Sequence, residues 1–159
     1  MNAAMMSEAD DAPWQIVMAQ LPLAFGLAGH NFLVLLDGNV RVASEINGLA
    51  IGQNGSVRAI GWRLGDRLRA VVSSGSCYYQ GALGQAVLYV GPRQAAMRLW
   101  LKAEEKACAI NALALKYPFL GCGKNSNSVA STLIHAMGLA ECRPSRSAVI
   151  DFGRGKILV

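Results

Sequence analysis

Two segments of the chain carry side-chain types that together can perform acyl transfer. In the first, residues 29–36, His30 opens an apolar run. In the second, residues 125–133, four polar residues lead directly into a helical pattern. Histidine can act as a general base near neutral pH because its reference pKa is ~6.5, and a serine needs such a base to become a nucleophile. The two segments therefore predict a base on a strand and a nucleophile at the start of a helix.

Ser126 lies where the helix is predicted to begin, and it is the first candidate for the nucleophile. Backbone N–H groups of a first helical turn have no partner inside the helix, so they can stabilise an oxyanion there. Ser and Asn are also common helix caps, which is a simpler interpretation of residues 125–128. Cys122, in a glycine-containing loop just before the helix, is the alternative nucleophile. The choice between Ser126 and Cys122 stays open at this point.

A hairpin supplies candidates for a third residue that orients His30. Residues 37–39, Asp-Gly-Asn, are a strong turn signal between two strand patterns. A turn centred there places residues 45–47 across from His30, and Glu45 and Asn47 share one face of that strand. A carboxylate or an amide bound to one imidazole nitrogen leaves the other nitrogen to accept a proton. Either residue fits. Glu45 and Asn47 are equally compatible with polar positions of an edge strand that face water, and for His30 the alternative is an ordinary core position.

The remaining pattern predicts strands first and helices last. Residues 93–116 contain no glycine or proline, and their apolar residues recur every three or four positions, which predicts a long amphipathic helix. A second helix is predicted from Ser126 to about Gly138, because glycine is a common C-terminal stop. Strands are predicted for residues 14–23, 31–36, 40–46, 57–62, 68–72 and 85–90, with a glycine-rich connection at 48–55 and a short closing strand near 148–150.

This order of elements predicts an α+β fold in which both helices pack on one face of a mostly antiparallel sheet. With 159 residues, the chain is long enough for one domain with its own core. Residues 1–13 contain three acidic side chains and no basic one, and they predict a disordered lead. Residues 14–159 are predicted to form the single domain.

Composition narrows the classes of function. The net charge is +5, and since the first 13 residues carry −3, the rest carries +8. The basic residues are scattered and form no nucleic-acid-binding motif, so no nucleic-acid partner is expected. The four cysteines are far apart and lack C-x-x-C spacing, which argues against a zinc site, and no metal or cofactor is expected.

The N-terminal sequence lacks the features of a cleaved secretion signal. It is acidic, with no basic region before an apolar stretch. The apolar segment at residues 14–36 is interrupted by polar residues, so no transmembrane segment is predicted either. We expect synthesis in the cytoplasm, and export by a route without a cleaved signal remains compatible with the sequence.

The order of the motifs resembles the circularly permuted branch of the NlpC-type papain-like superfamily, which includes lecithin:retinol acyltransferase-like proteins and bacterial cell-wall hydrolases. In that branch a strand carries the histidine, a neighbouring strand carries a polar third residue, and a later helix begins with Asn-Cys before an apolar face. The matching positions are Gly29, His30, Asn31 and Phe32, then Glu45 or Asn47, then Asn125, Ser126, Val129 and Leu133. The chain departs from the family at Ser126, where cysteine is expected.

The resemblance implies a permuted papain-like hydrolase of an amide bond in a peptidoglycan peptide or a related peptide. In such a hydrolase, Ser126 or Cys122 would attack the amide carbonyl and His30 would transfer the proton. Glu45 or Asn47 would orient His30. The chain as a whole is also similar to small antibacterial effectors of type VI secretion. This similarity implies action in the periplasm of a target cell and an immunity or secretion partner protein. The serine at the cysteine position keeps open a catalytically inactive binding module. A lipid acyltransferase at a membrane surface is a third hypothesis, disfavoured because no amphipathic anchor is present.

Overall fold

The computed structural model describes residues 12–145 and 150–159, except for 24, 26, 59, 60, 62 and 64. The elements in this part of the chain are β1 (Trp14–Leu23), β2 (Ala28–Leu36), β3 (Val42–Ile51), β4 (Val57–Arg58), β5 (Arg67–Ser74), β6 (Gly84–Gly91), α1 (Arg93–Ala112) and α2 (Ser126–Met137). A single 3-10 turn, Phe119–Gly121, lies between the helices. The predicted α+β class, a mostly antiparallel sheet with two helices, is confirmed.

The six strands form one sheet. Strand β1 pairs with β2 and β6, and strand β3 pairs with β2, β4 and β5. Because β5 lies along β3 from Ser44 to Ile51, β2 and β4 share the opposite edge of β3. On that edge β2 pairs with β3 from Val42 to Asn47, and β4 pairs with it only from Ala50 onward. Strands β2 and β3 therefore part beyond Asn47, and a gap opens between them.

Strand β2 and the middle of β1 are buried on both faces of the sheet. One face packs against α1 and α2, with Leu33 of the sheet in the same cluster as Trp100 and Leu133 of the helices. The other face forms a smaller cluster around Phe32, which residues 78–83 of the β5–β6 connection cover. A strand that is buried on both faces typically has a continuous apolar sequence, and residues 32–36 of β2 form such a run.

Helix α1 is shorter than its sequence predicts. The helix ends at Ala112 instead of Lys116, and Ala114 adopts a left-handed φ of 47°. The carbonyl of Leu115 then accepts a hydrogen bond from the N–H of Leu68 in β5. Hydrogen bonding to the sheet thus replaces the last predicted turn of the helix. Up to Ala112, the buried residues of the helix recur every three or four positions, as predicted. They are Ala96, Trp100, Ala103, Ala107 and Ile110.

The register of the β2–β3 hairpin differs from the predicted one. The expectation that residues 45–47 lie across from His30 is wrong, because Asn47 pairs with Phe32. The turn is centred one residue later than predicted, and a β-bulge beside it adds a second shift. A bulge sets two residues of one strand against one of the other, which sequence periodicity does not reveal.

Other boundaries also differ. Strand β3 runs on through Gly48, where the sequence predicts a glycine-rich connection. Of the predicted strand at 57–62, the structure assigns Val57–Arg58 to β4, and residues 59, 60 and 62 lie outside the described residues.

The predictions for the two ends of the chain fall largely outside the described residues. Of the acidic lead at 1–13, only residues 12 and 13 are described. Of the closing strand near 148–150, only Ile150 is described, and it forms a single parallel bridge with Ala28. In the described part of the chain, neither helix is long and apolar enough to cross a membrane.

Candidate active site

A cavity of about 130 Å³ lies where β2 and β3 part. Its lining includes His30 of β2, Gly48 of β3 and Ser126 at the start of α2. The other residues that line it are mostly apolar, namely Leu21, Leu23, Leu49, Ala50, Val57, Arg58, Tyr78 and Tyr117. The predicted base and the predicted serine nucleophile thus meet at one cavity, although 96 residues separate them in the chain. Each is only 8% exposed.

Three buried polar side chains form a chain of hydrogen bonds that ends at His30. The Oδ1 atom of Asn47 lies 3.2 Å from Nε2 of His30, and Nδ2 of Asn47 donates to Oε2 of Glu45 at 3.2 Å. Because a carboxylate only accepts, the Asn47 amide turns its nitrogen to Glu45 and its oxygen to His30. That oxygen also only accepts, so the imidazole proton sits on Nε2 and Nδ1 is left as the acceptor.

Glu45 is linked to His30 through Asn47. Its side chain is fully buried, and its oxygens accept from the backbone N–H groups of Cys77, Tyr78 and Tyr79 at 3.0, 3.1 and 2.9 Å. These bonds satisfy the buried carboxylate and hold the β5–β6 connection against the sheet. The two candidates for a third residue therefore have different positions, since Asn47 contacts His30 and Glu45 fixes Asn47.

The surroundings of His30 favour the neutral imidazole. Burial lowers the pKa of His30 below its usual value of 6.5, and the hydrogen bond that His30 donates to Asn47 opposes this only in part. The ring stacks on Phe32, with the two centroids 5.8 Å apart. Within the described part of the chain, Asn47 is the hydrogen-bond partner found for the His30 side chain. A neutral ring with an unpaired Nδ1 can accept a proton from a group in the cavity.

Ser126 is placed by a close contact between α2 and β3. A Cβ atom at Gly48 would lie 2.7 Å from the carbonyl oxygen of Ser126 and 2.8 Å from its Cα, so a larger residue would push the helix away. Asn125 caps the helix by accepting the N–H of Asn127 at 2.9 Å, and Ser128 Oγ accepts the N–H of Asn125 at 3.1 Å. The N–H of Ser126 belongs to the first turn and has no partner inside the helix.

Asn127 binds α2 to the backbone on both sides of His30. Its Oδ1 accepts from the N–H of Asn31 at 2.7 Å, and its Nδ2 donates to the carbonyl of Gly29 at 2.9 Å. Asp151 accepts from Asn127 at 3.1 Å and from the side chain of Asn31 at 3.0 Å. This network fixes the backbone of His30 relative to the start of α2. Sequence analysis identified Asn127 only as part of a cap, and it missed Asp151.

Tyr117 is a second neighbour of Ser126 that sequence analysis missed. Its hydroxyl donates to Ser126 Oγ at 3.4 Å. Both residues also line a neighbouring cavity of about 60 Å³, which extends to Gly29 and Phe152. Ser126 therefore faces a groove made of two adjoining cavities. The sequence marks Tyr117 only as the residue before a helix-breaking proline, so no local signal connects it to Ser126.

Cys122 lies apart from this arrangement. Its thiol is free and exposed, and Cys122 is not among the described residues that line either cavity. His135, the other histidine of the chain, is exposed on α2. Among the residues that the structure describes, no group of three or more His, Cys, Asp and Glu side chains could hold a metal ion.

Comparisons with protein-family models, with curated proteins and with solved structures found no match for this chain. The function proposed below therefore depends on the geometry of the site and on the resemblance of its motifs.

Proposed function

We propose that the protein hydrolyses an amide bond by acyl transfer, with Ser126 as the nucleophile and His30 as the base. The observation that supports this most is that both residues line one cavity while Asn47 leaves Nδ1 of His30 unpaired. From the resemblance of the motifs, the proposed substrate is a peptidoglycan peptide or a related peptide. The proposed setting is an exported antibacterial effector with an immunity partner.

The reaction would proceed in two steps. In the first, Ser126 Oγ bonds to the carbonyl carbon and its proton passes to Nδ1 of His30, which returns it to the departing amine as the C–N bond breaks. In the second, His30 takes a proton from water as the water oxygen attacks the acyl group, and it returns that proton to Ser126 Oγ as the ester bond breaks, which restores both residues. The N–H of Ser126 and the hydroxyl of Tyr117 are donors beside Oγ that can stabilise the oxyanion.

The second candidate function is a peptide-binding module without catalysis. It is favoured by the partner of Ser126 Oγ, which among the described residues accepts a hydrogen bond from the Tyr117 hydroxyl and makes none with His30. Such a module would use the same groove, and the serine would then be a polar contact for the ligand. It agrees with the absence of a cysteine at position 126.

The experiment that tests the hydrolase is incubation of the purified protein with peptidoglycan fragments, followed by mass spectrometry of the released peptides. We expect His30→Ala to lower the rate by ~10²–10⁴-fold, the usual contribution of a general base. Ser126→Ala should abolish release, and Ser126→Cys should preserve or raise it, because a thiol near histidine is partly ionised at neutral pH.

Cys122→Ala is the matched control, since that thiol lies outside both cavities. It should keep the rate of the unchanged protein. Loss of activity in Cys122→Ala alone would place the nucleophile at Cys122. If neither the unchanged protein nor Ser126→Cys releases a peptide, while circular dichroism shows an intact fold, the binding module replaces the hydrolase.

A further inference from the structure

We infer that the cavity beside Ser126 binds a small aliphatic group joined to a carboxylate, and that Arg58 binds the carboxylate. This inference rests on the proposed hydrolase, because it names the class of substrate that the same site takes. It would apply equally to a ligand of the binding module. The evidence is the size and lining of the cavity, together with the position of one guanidinium group.

The cavity has the size and the surface for a small apolar group. Its volume is about 130 Å³, and aliphatic residues of β1, β3 and β4 supply five of its eleven described lining residues. An aliphatic cavity of ~150 Å³ accommodates a molecule the size of benzene. A branched side chain such as that of leucine or valine is of this size, and the apolar wall offers it contact without unpaired polar groups.

Arg58 supplies a positive charge to the cavity wall. Its side chain is 23% exposed, and its Nε atom is buried without a hydrogen-bond partner among the residues that the structure describes. The nearest carboxylate oxygen, Oδ1 of Asp66, lies 3.9 Å from Nε, which is an ion-pair contact but too long for a hydrogen bond. Gly52 makes room for the guanidinium, because a Cβ atom there would lie 3.0 Å from Nε. Among the described residues, the Nε donor of Arg58 is therefore left without a hydrogen-bond acceptor.

The chemistry of this donor favours a carboxylate. A guanidinium presents its N–H groups in a planar fork, which matches the two oxygens of a carboxylate. Arg58 also lines a second cavity of about 380 Å³, whose other described lining residues are Gln53, Asn54, Arg63, Gly65 and Asp66. A ligand can therefore place its apolar part beside Ser126 and its anionic part at Arg58, with the polar cavity beyond.

A binding measurement that needs no turnover tests the inference. The probes are 4-methylpentanoate and its neutral counterpart 4-methylpentanamide, titrated into the full chain carrying Ser126→Ala and followed by ¹⁵N–¹H NMR. We expect the carboxylate to bind about tenfold more tightly or better, which is the size of a hydrogen bond to a charged group. Arg58→Met should remove this difference, and Arg58→Lys should keep part of it.

The matched control is Arg69→Met, because Arg69 lies on β5 and donates to the carbonyl of Asn111, away from the cavity. It should leave the preference unchanged. Since Arg58→Met leaves the buried Asp66 without its ion pair, the double variant Arg58→Met/Asp66→Asn serves where the single one does not fold. Equal binding of both probes, no binding of either, or displacement of the carboxylate by an equal concentration of inorganic phosphate would overturn the inference.

The outcome is separable from that of the hydrolase test. If the carboxylate preference depends on Arg58 but no peptide is ever cleaved, the hydrolase fails and the binding site stands. If peptides are cleaved but the two probes bind equally, the hydrolase stands and the assignment of Arg58 fails.

Discussion

The side-chain oxygen of Asn47 reaches Nε2 of His30 diagonally across the β2–β3 ladder, since the residue paired with Asn47 is Phe32. Diagonal neighbours in an antiparallel pair are within reach of each other's side chains when they lie on the same face. A register shift by one residue would turn Asn47 to the opposite face. The protonation pattern of His30 therefore depends on the register of this hairpin, and hence on the bulge that sets it.

Replacing Asn47 by alanine tests this dependence. Without the acceptor, the imidazole can rotate and can move its proton to Nδ1, so kcat should fall by less than the ~10²–10⁴-fold expected for His30→Ala. The measurement is steady-state kinetics on the peptide substrate. Asn39→Ala, an exposed position in the turn of the same hairpin, is the control and should match the unchanged protein. An unaltered kcat in Asn47→Ala would show that the contact has no catalytic consequence.

Replacing Glu45 by glutamine should cost stability. A glutamine amide has only one accepting oxygen, so backbone N–H groups of residues 77–79 would be left unpaired in a buried place. The expected loss in the free energy of unfolding is about 1–3 kcal/mol, measured by urea denaturation. Glu105→Gln on the exposed face of α1 should change stability by less than about 0.5 kcal/mol. Equal midpoints for the two variants would contradict the role given to Glu45.

Burial of His30 should make the stability of the fold depend on pH. Because the native pKa lies below 6.5, the unfolded chain binds this proton at a higher pH than the native state does. The free energy of unfolding should be highest above pH 6.5 and should fall as the pH drops from there toward the native pKa.

Urea midpoints measured from about pH 5 to about pH 8 test this dependence, since that range brackets the titration of an ordinary histidine. His30→Gln should flatten the slope below neutral pH. His135→Gln, which changes an exposed histidine on α2, should retain the slope. A slope that survives in His30→Gln would mean that another group is responsible.

A methyl group at position 48 should displace the start of α2. The Cβ of Gly48→Ala would meet the backbone of Ser126 at under 3 Å, and overpacking of this kind costs about 1–3 kcal/mol. Because the shift separates Ser126 from His30, activity should fall even under conditions where the variant is fully folded. Gly81→Ala is the control, since no atom lies within 4 Å of a Cβ built there. The readouts are urea denaturation and peptide release, and wild-type behaviour in both would refute the close packing.

The helices were predictable because their signals are local. The buried stripe of α1 follows from the spacing of its alanines with Trp100 and Ile110, and the left-handed Gly138 ends α2 as expected. The last predicted turn of α1 was wrong because a hydrogen bond between Leu68 and Leu115 competes with the helix. That competitor is 47 residues away in the chain, so a local pattern does not contain it.

Two residues of the candidate site were predictable from the sequence, but the contacts that they make were not. His30 and Ser126 stand out because they are reactive side chains at the ends of elements. Tyr117, Asp151 and Arg58 carry no such signal, because each belongs to the site only through contacts made after folding. Whether Glu45 or Asn47 contacts His30 likewise depends on the register of the β2–β3 hairpin. A β-bulge and the later centre of the turn determine that register.

The bonds from Asn31 to Asn127 and Asp151 span 96 and 120 residues, so they also bear on the order of events during synthesis. Contacts of such long sequence separation form late, because the entropy of closing a long loop must be offset first. A nascent chain that has emerged only as far as β3 already contains the β1–β2–β3 meander, but not the residues that anchor the backbone around His30. We therefore expect these three strands of a growing chain to pair well before the backbone around His30 is anchored to α2 and Asp151.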